Sequence, residues 1–158
     1  MNCFHLAIFT SVLALTASSV PAAEFPKSGA TKATGYTVGS AVDGDEGWET
    51  GSQPELFVMN GVIRNDKEGG PFDKNFLRCI GQYVTIAGKF VTSGTCTETD
   101  KAGDKIFMTF NADGFTYIGG TGKYKGITGG GTTKIENVFE GKKGWASIES
   151  YEKHWEIK

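Results

Sequence analysis

Three aromatic side chains near the C-terminus of this 158-residue sequence are candidates for ligand contact. Trp145, Tyr151 and Trp155 are spaced by even numbers of residues, so an extended segment places all three on one face. A stripe of this kind either packs a protein core or forms a wall on which an apolar or aromatic molecule stacks. The sequence leaves both alternatives open.

Arg78 is the charged candidate for the same site. In an extended strand its side chain lies on the face opposite Cys79, together with Ile80 and Val84. If that face lines the interior of the fold, the guanidinium can bind a carboxylate or phenolate ligand. If it faces solvent, Arg78 is a surface charge. We therefore carry Arg78, Trp145, Tyr151 and Trp155 forward as the candidate ligand-binding residues.

The sequence gives little support for a metal site or for a known catalytic motif. The acidic stretches 43–49 and 98–104 do not fit the sequence of a calcium-binding helix–loop–helix, so we interpret both, including Glu98, as turns exposed to solvent. Zinc needs about four ligands, and His154 with two cysteines falls short. No serine–histidine–acid arrangement is visible in the spacing. The sequence predicts no metal and no cofactor, and it leaves any catalytic residue unidentified.

Residues 1–23 have the composition of a secretory signal peptide. They contain no Lys, Arg, Asp or Glu, and the apolar run 6–17 is followed by small residues that allow cleavage after Ala22 or Ala23. The run is shorter than the roughly 20 residues of a membrane span. We expect residues 24–158 to form one domain, secreted or periplasmic and not held in a membrane.

The charge pattern argues against a nucleic-acid partner. The net charge is -2, only two arginines are present, and the longest basic run is Lys142-Lys143. Nucleic-acid binding depends on clustered Lys and Arg side chains that face phosphates. The sequence predicts no nucleic-acid partner, and it does not indicate the oligomeric state.

Cys79 and Cys96 are predicted to form a disulfide. The segment between them is rich in apolar and β-branched residues on both sides of Ala87-Gly88, which is typical of a hairpin. A two-residue turn at Ala87-Gly88 places Cys79 directly opposite Cys96, and an exported protein meets an oxidising environment. The sequence therefore predicts a cross-strand disulfide.

Short β-rich segments separated by Gly, Asp and Asn dominate the rest of the chain. Consecutive strands with short connections favour an antiparallel barrel or sandwich, and closure leaves no strand edge exposed. We expect an all-β fold, a closed eight-stranded antiparallel barrel of lipocalin-like shape with one cross-strand disulfide. The predicted strands are 34–42, 56–64, 76–85, 89–97, 105–111, 115–119, 132–139 and 145–155.

The glycine-rich segment 119–133 has two further interpretations, a phosphate-binding loop and a flexible linker. A phosphate-binding loop leads into a helix and carries Ser or Thr after its Lys, whereas Lys123 precedes Tyr124 and a strand-like segment follows. A linker does not fit between two predicted strands. We expect these glycines to permit bends and close strand contacts in the barrel, with no phosphate at Lys123.

Two segments carry a resemblance to a known family. "YIGGTGKYKGITGGGT" resembles a segment typical of the allene-oxide-cyclase barrel-like superfamily, which includes allene oxide cyclases and dirigent proteins. "GTCTETDKAGDKIFMTF" is similar to a pattern in its small exported bacterial members. The resemblance implies an eight-stranded barrel whose interior can hold a small apolar molecule. No segment matches the motifs that carry the catalytic residues of the plant enzymes.

Three functions follow as hypotheses. The first is an exported barrel that binds a small apolar or aromatic molecule in its interior. The second is a cofactor-free enzyme, a cyclase, lyase or dirigent-like protein, that acts on such a molecule. The third is a structural or interaction protein with a filled barrel. The volume and lining of the interior distinguish the three.

Overall fold

The structure, a computed structural model, describes residues 24–42, 54–141 and 144–158. The predicted signal peptide and the acidic stretch 43–49 lie outside the described residues. Nearly all of the described chain is β-structure. The strands are β1 Ser28–Ala41, β2 Glu55–Asn65, β3 Asn75–Ile86, β4 Lys89–Thr99, β5 Lys105–Asn111, β6 Gly114–Gly120, β7 Ile127–Gly141 and β8 Gly144–Ile157.

These strands form a closed barrel in chain order, with each strand antiparallel to the next and β8 paired with β1. The predicted eight-stranded antiparallel barrel is confirmed. The strand boundaries differ most at β1 and β7, which begin earlier than predicted. In β7 the reason is that the glycines at 129–131 are part of the strand instead of preceding it.

The predicted disulfide is confirmed between Cys79 on β3 and Cys96 on β4. The two residues are direct partners in the β3–β4 ladder, which ends in the pair Ile86–Lys89. Ala87 and Gly88 form the turn, both with positive φ angles of 49° and 76°. Both cysteines are buried, so the bond crosses the inner face of the barrel.

Connections alternate between the two ends of the barrel because successive strands are antiparallel. The β3–β4 and β5–β6 turns share one end, which we call the upper end; β7 ends and β8 begins at the same end. Described residues of the β2–β3, β4–β5 and β6–β7 connections lie at the lower end, where a short 3-10 helix, Gly122–Tyr124, follows β6. No helix in the described ranges is long and apolar enough to cross a bilayer.

Aromatic rings fill the lower end. Phe72 lies edge-on to Trp155 with 5.0 Å between ring centroids, and Phe25 lies edge-on to Tyr124 at the same distance. Tyr117 stacks on Phe72 at 6.2 Å. We call these five residues the aromatic floor. Edge-to-face pairs of this kind add stability beyond the apolar area that they bury, so the floor is the packed core of the domain.

The β6–β7 contact is the shortest ladder of the barrel. Only Phe115–Gly131 and Thr116–Gly130 are paired there. Because β6 begins at Gly114, this ladder cannot extend further toward the upper end. Beyond Thr133 the strand β7 continues to Gly141 with β8 as its only strand partner among the described residues. Among the described strands, no ladder therefore joins the β5–β6 turn to the upper part of β7.

The glycines of the segment 119–133 serve the barrel geometry, as predicted. Gly126 and Gly129 have φ angles of 81° and 112°, where a side chain is strained. Gly130 has an ordinary extended backbone, but a Cβ there would collide with the Phe115 carbonyl oxygen of β6. The short β6–β7 ladder thus requires glycine on its β7 side.

Lys123 makes a structural contact that the sequence did not indicate. Its Nζ lies 2.5 Å from Oδ2 of Asp100, whose side chain is almost fully buried. Burial alone would raise the pKa of Asp100, but the Lys123 ammonium and the backbone N–H groups of Ala102 and Asp104 together lower it. The ion pair ties the β6–β7 connection to the β4–β5 turn.

Gly130→Val tests the need for close contact between β6 and β7. We expect a loss of about 1–3 kcal/mol in the free energy of unfolding, because the added atoms push against the β6 backbone. The matched control is Thr132→Val, two residues further along β7, where the residue is exposed and not buried as Gly130 is; it should unfold within about 0.5 kcal/mol of the parent protein. Equal denaturation midpoints for both variants would contradict this assignment.

Candidate functional site

The barrel interior above the aromatic floor is hollow. It contains a cavity of about 550 Å³, and residues of the β5–β6 turn at the upper end contribute to its lining. Inward-facing positions of seven strands supply most of the wall, and apolar side chains predominate. The apolar and aromatic lining comprises Phe57, Met59, Ile63, Leu77, Cys79, Tyr83, Phe90, Cys96, Met108, Phe110, Ala112, Phe115, Ile135, Trp145 and Tyr151.

The aromatic stripe of β8 points into the barrel, and two of its three members line the cavity. Trp145 lies near the upper end, edge-on to Phe57 at 5.5 Å, and Tyr151 lies deeper. Trp155 belongs to the aromatic floor, where its indole Nε1 donates to the Pro26 carbonyl oxygen at 2.9 Å. The stripe therefore has both of the roles that the sequence left open. Trp145 and Tyr151 form part of the cavity wall, and Trp155 is part of the packed core.

Arg78 requires a correction. Its side chain is exposed on the outer face of β3, while Cys79 beside it is buried. The disulfide joins β3 and β4 across the inner face, and strand alternation then sends Arg78 outward. Arg78 does not line the cavity and cannot contact a molecule inside it.

A buried carboxylate lies in the wall of the cavity. Glu149 on β8 is 3% exposed, and its oxygen atoms accept hydrogen bonds from three neighbouring hydroxyl groups. Thr37 on β1 donates at 2.8 Å, Ser147 at 3.4 Å, and the Tyr151 hydroxyl donates to the second oxygen. The Ser147 hydroxyl also lies 2.7 Å from that of Thr37, so its single proton is shared between Thr37 and the more distant Glu149 oxygen.

The Tyr151 hydroxyl stays protonated and donates a hydrogen bond to Glu149. Burial raises the pKa of its hydroxyl well above the ordinary value, and the Glu149 carboxylate adds to the rise through its charge and its hydrogen bond. The hydroxyl proton therefore stays on Tyr151 and points to Glu149.

A second polar group lies at the boundary between cavity and floor. Lys153 Nζ is 2.7 Å from Glu98 Oε2, and both side chains are almost fully buried. The side-chain amide of Asn75 donates to the other Glu98 oxygen at 3.0 Å. The Lys153 ammonium also lies 4.7 Å from the centre of the Phe72 ring. The pair joins β4 to β8 through the barrel interior.

A third polar contact lies at the upper end. The Tyr83 hydroxyl donates to Glu55 Oε2 at 2.5 Å. Burial raises the pKa of Tyr83, and the hydrogen bond and charge of Glu55 raise it further. Tyr83 also lines the cavity, so this contact places a hydrogen-bonded group in its upper wall.

Sequence reasoning missed the charged residues of the interior. Glu98 was assigned to a solvent-exposed acidic turn, but it lies inside β4 and is 1% exposed. Glu149 and Lys153 share the even spacing of the aromatic stripe, and that spacing was the signal that could have placed them inside. Within the described part of the chain, no cluster of three His, Cys, Asp or Glu side chains could hold a metal ion.

No protein-family model matches the chain, and no curated protein matches it. A solved structure, that of the pterocarpan synthase dirigent protein GePTS1, superimposes with a TM-score of 0.53 at 17% sequence identity. The match covers 84% of this chain and 88% of that one. At 17% identity the similarity shows the barrel fold alone. The shared fold supports the resemblance found in the sequence.

The variant Lys153→Met tests the buried ion pair. It leaves Glu98 without a counter-charge in a buried site, and we expect a loss of about 3–5 kcal/mol in the free energy of unfolding, measured by urea denaturation. The double variant Lys153→Met with Glu98→Gln should recover part of that loss, because no unpaired charge remains. Lys32→Met is the control, since its pair with Glu152 is exposed and should contribute about 0–1 kcal/mol. A single variant as stable as the control would contradict the assignment.

Proposed function

We propose that this protein is exported and binds a small apolar or aromatic molecule inside its barrel. The observation that carries the proposal is the cavity of about 550 Å³ with its predominantly apolar lining. Protein interiors are otherwise close-packed, with few voids larger than a water molecule. Ligand pockets have volumes of roughly 300–1,000 Å³ and combine apolar walls with a few polar groups.

The filled-barrel hypothesis fits this interior poorly. A barrel built only for stability gains most when its inward-facing side chains meet at the axis, and the aromatic floor already shows that packing at the lower end. In the upper interior the apolar side chains instead surround the cavity and do not meet at the barrel axis. This division favours a binding protein over a structural one.

Export is supported by the sequence and by the cysteine chemistry. Residues 1–23 have the features of a signal peptide, and a disulfide persists in oxidising compartments. We therefore place the mature protein in the periplasm or outside the cell.

Fluorescence titration with N-phenyl-1-naphthylamine, a neutral aromatic probe, tests ligand binding. We expect saturable binding at one site. Thr133→Trp should weaken it by at least about tenfold, because Thr133 lines the cavity and a large ring there occupies ligand space. The matched control is Thr132→Trp, one residue away on the outer face, with affinity unchanged. Binding that does not saturate, or equal affinity for both variants, would refute the proposal.

A second candidate function is cofactor-free catalysis of proton transfer. The observation that favours it is the Glu149 carboxylate, which lines an apolar cavity beside the protonated Tyr151. A positioned base accelerates proton transfer by about 10²–10⁴-fold, and Glu149 lines the cavity in which a substrate would lie. An elimination whose leaving group departs as a stable anion needs no further protein group.

5-Nitrobenzisoxazole tests the catalytic candidate, because a base that removes its C3 proton breaks the N–O bond and releases a coloured phenolate. We expect the wild-type protein to accelerate this elimination and Glu149→Gln to lose at least about 10²-fold of the rate. Glu152→Gln, three residues along β8 on the exposed outer face, is the control and should keep the full rate. A rate that does not depend on Glu149 would exclude Glu149 as the base.

A further inference from the structure

We propose that the ligand of this cavity is an organic cation, a substituted ammonium or similar group on an apolar or aromatic body, with its positive charge beside Glu149. This inference rests on the proposed binding function and specifies the chemical class of the ligand. It follows from the charges of the lining, from the hydrogen bonds around Glu149, and from the aromatic rings that face the same space.

The first step is the charge of the cavity wall. Among the described residues that line it, Glu98, Glu149 and Lys153 are the charged ones. Lys153 and Glu98 neutralise each other at 2.7 Å. The carboxylate of Glu149 is left as the net charge of the lining, so the described wall of the cavity carries one negative charge that no other described lining residue neutralises.

The second step is that Lys153, which pairs with Glu98, is not also the counter-ion of Glu149. The Tyr151 side chain stands between them on the same face of β8, and the Lys153 ammonium is 5.4 Å from the centre of the Tyr151 ring. Glu98 and Asn75 hold the other side of this polar group. Lys153 is therefore fixed at the floor boundary, and Glu149 faces the cavity above it.

The third step concerns the partners of Glu149. Its hydrogen bonds come from Thr37, Ser147 and Tyr151, all neutral hydroxyl groups. Donors of this kind stabilise an ionised carboxylate and fix its orientation, but they do not neutralise its charge. A buried carboxylate is costly unless a positive charge compensates it. A cationic ligand supplies that charge when it binds.

The fourth step is the aromatic lining. Phe57 lies at the centre of an aromatic group, with its ring centroid 5.5 Å from Trp145, 6.0 Å from Tyr83 and 6.1 Å from Phe110. The faces of aromatic rings attract organic cations, and this attraction grows when water is excluded. The same rings accept an apolar body. Carboxylate and rings together fit an amphiphilic cation and disfavour an anion.

Three probes of nearly the same shape test the inference. They are trimethyl(naphthalen-2-ylmethyl)ammonium, its neutral carbon analogue 2-neopentylnaphthalene, and the anion naphthalen-2-ylmethanesulfonate. Displacement of bound N-phenyl-1-naphthylamine gives their affinities. We expect the cation to bind at least about tenfold more tightly than the neutral analogue, and the anion to bind most weakly.

Glu149→Gln should remove the preference for the cation while the neutral analogue keeps its affinity within about twofold. The glutamine retains acceptor and donor groups for the three hydroxyls, and circular dichroism checks that the variant folds. Glu152→Gln, with its carboxylate on the outer face, should keep the preference and excludes an effect of overall charge. If Glu149→Gln does not fold, the ratio of cation to neutral affinity of the wild-type protein decides alone.

A failure of this inference can be distinguished from a failure of the proposed binding function. If the neutral analogue or the anion binds as tightly as the cation, the inference is wrong and the proposed binding function stands. If the Glu149→Gln variant keeps the preference for the cation, the assignment of the charge to Glu149 is wrong. If neither the three probes nor N-phenyl-1-naphthylamine binds, the proposed function and this inference both fall.

Discussion

Three aromatic rings of β8 lie on glycines of β1 along the ladder that closes the barrel. A Cβ on Gly29 would come within 2.7 Å of the Trp155 ring, and a Cβ on Gly35 within 2.7 Å of the Tyr151 ring. A Cβ on Gly39 would likewise collide with the Trp145 ring. The strands β1 and β8 pair along almost their whole length, and a large residue in place of any of these glycines would force a ring away from the wall. The positions of these three β8 rings in the interior depend on this fit.

The Glu98–Lys153 pair divides the interior into two regions of different character. Below it the aromatic floor is packed, and above it the cavity is open. Glu98 comes from β4 and Lys153 from β8, so the pair spans strands that are not neighbours in the barrel. Replacing a buried pair with apolar residues is often neutral or stabilising in proteins. The pair is therefore better understood as the element that fixes where packing stops than as a source of stability.

Alternation of residue types was sufficient to predict the strands, and local spacing was sufficient to predict the disulfide. The closed barrel, as opposed to a sandwich, rested on the cost of exposed strand edges and on the family resemblance. The disulfide depended only on the turn at Ala87-Gly88. Alternation identifies two faces of a strand, but it does not say which one is inside, and for this reason Arg78 could not be placed. The meeting of Glu98 with Lys153 depends on the register of all the strands between them, and no local pattern contains that information.

The unequal lengths of β6 and β7 also determine how strictly the barrel selects by shape. Around most of its circumference the cavity is bounded by continuous ladders, and a ligand wider than the barrel cannot enter. Between the β5–β6 turn and the upper half of β7 the described part of the wall has no ladder, and Asn111, Thr133 and Asn137 border the cavity there. Under the proposed binding function, a molecule with a long substituent would place its head inside and leave the substituent in this slot. Selection would then be strict for the buried head and lenient for the tail, so that a series of homologous molecules differing only in tail length would be accepted alike.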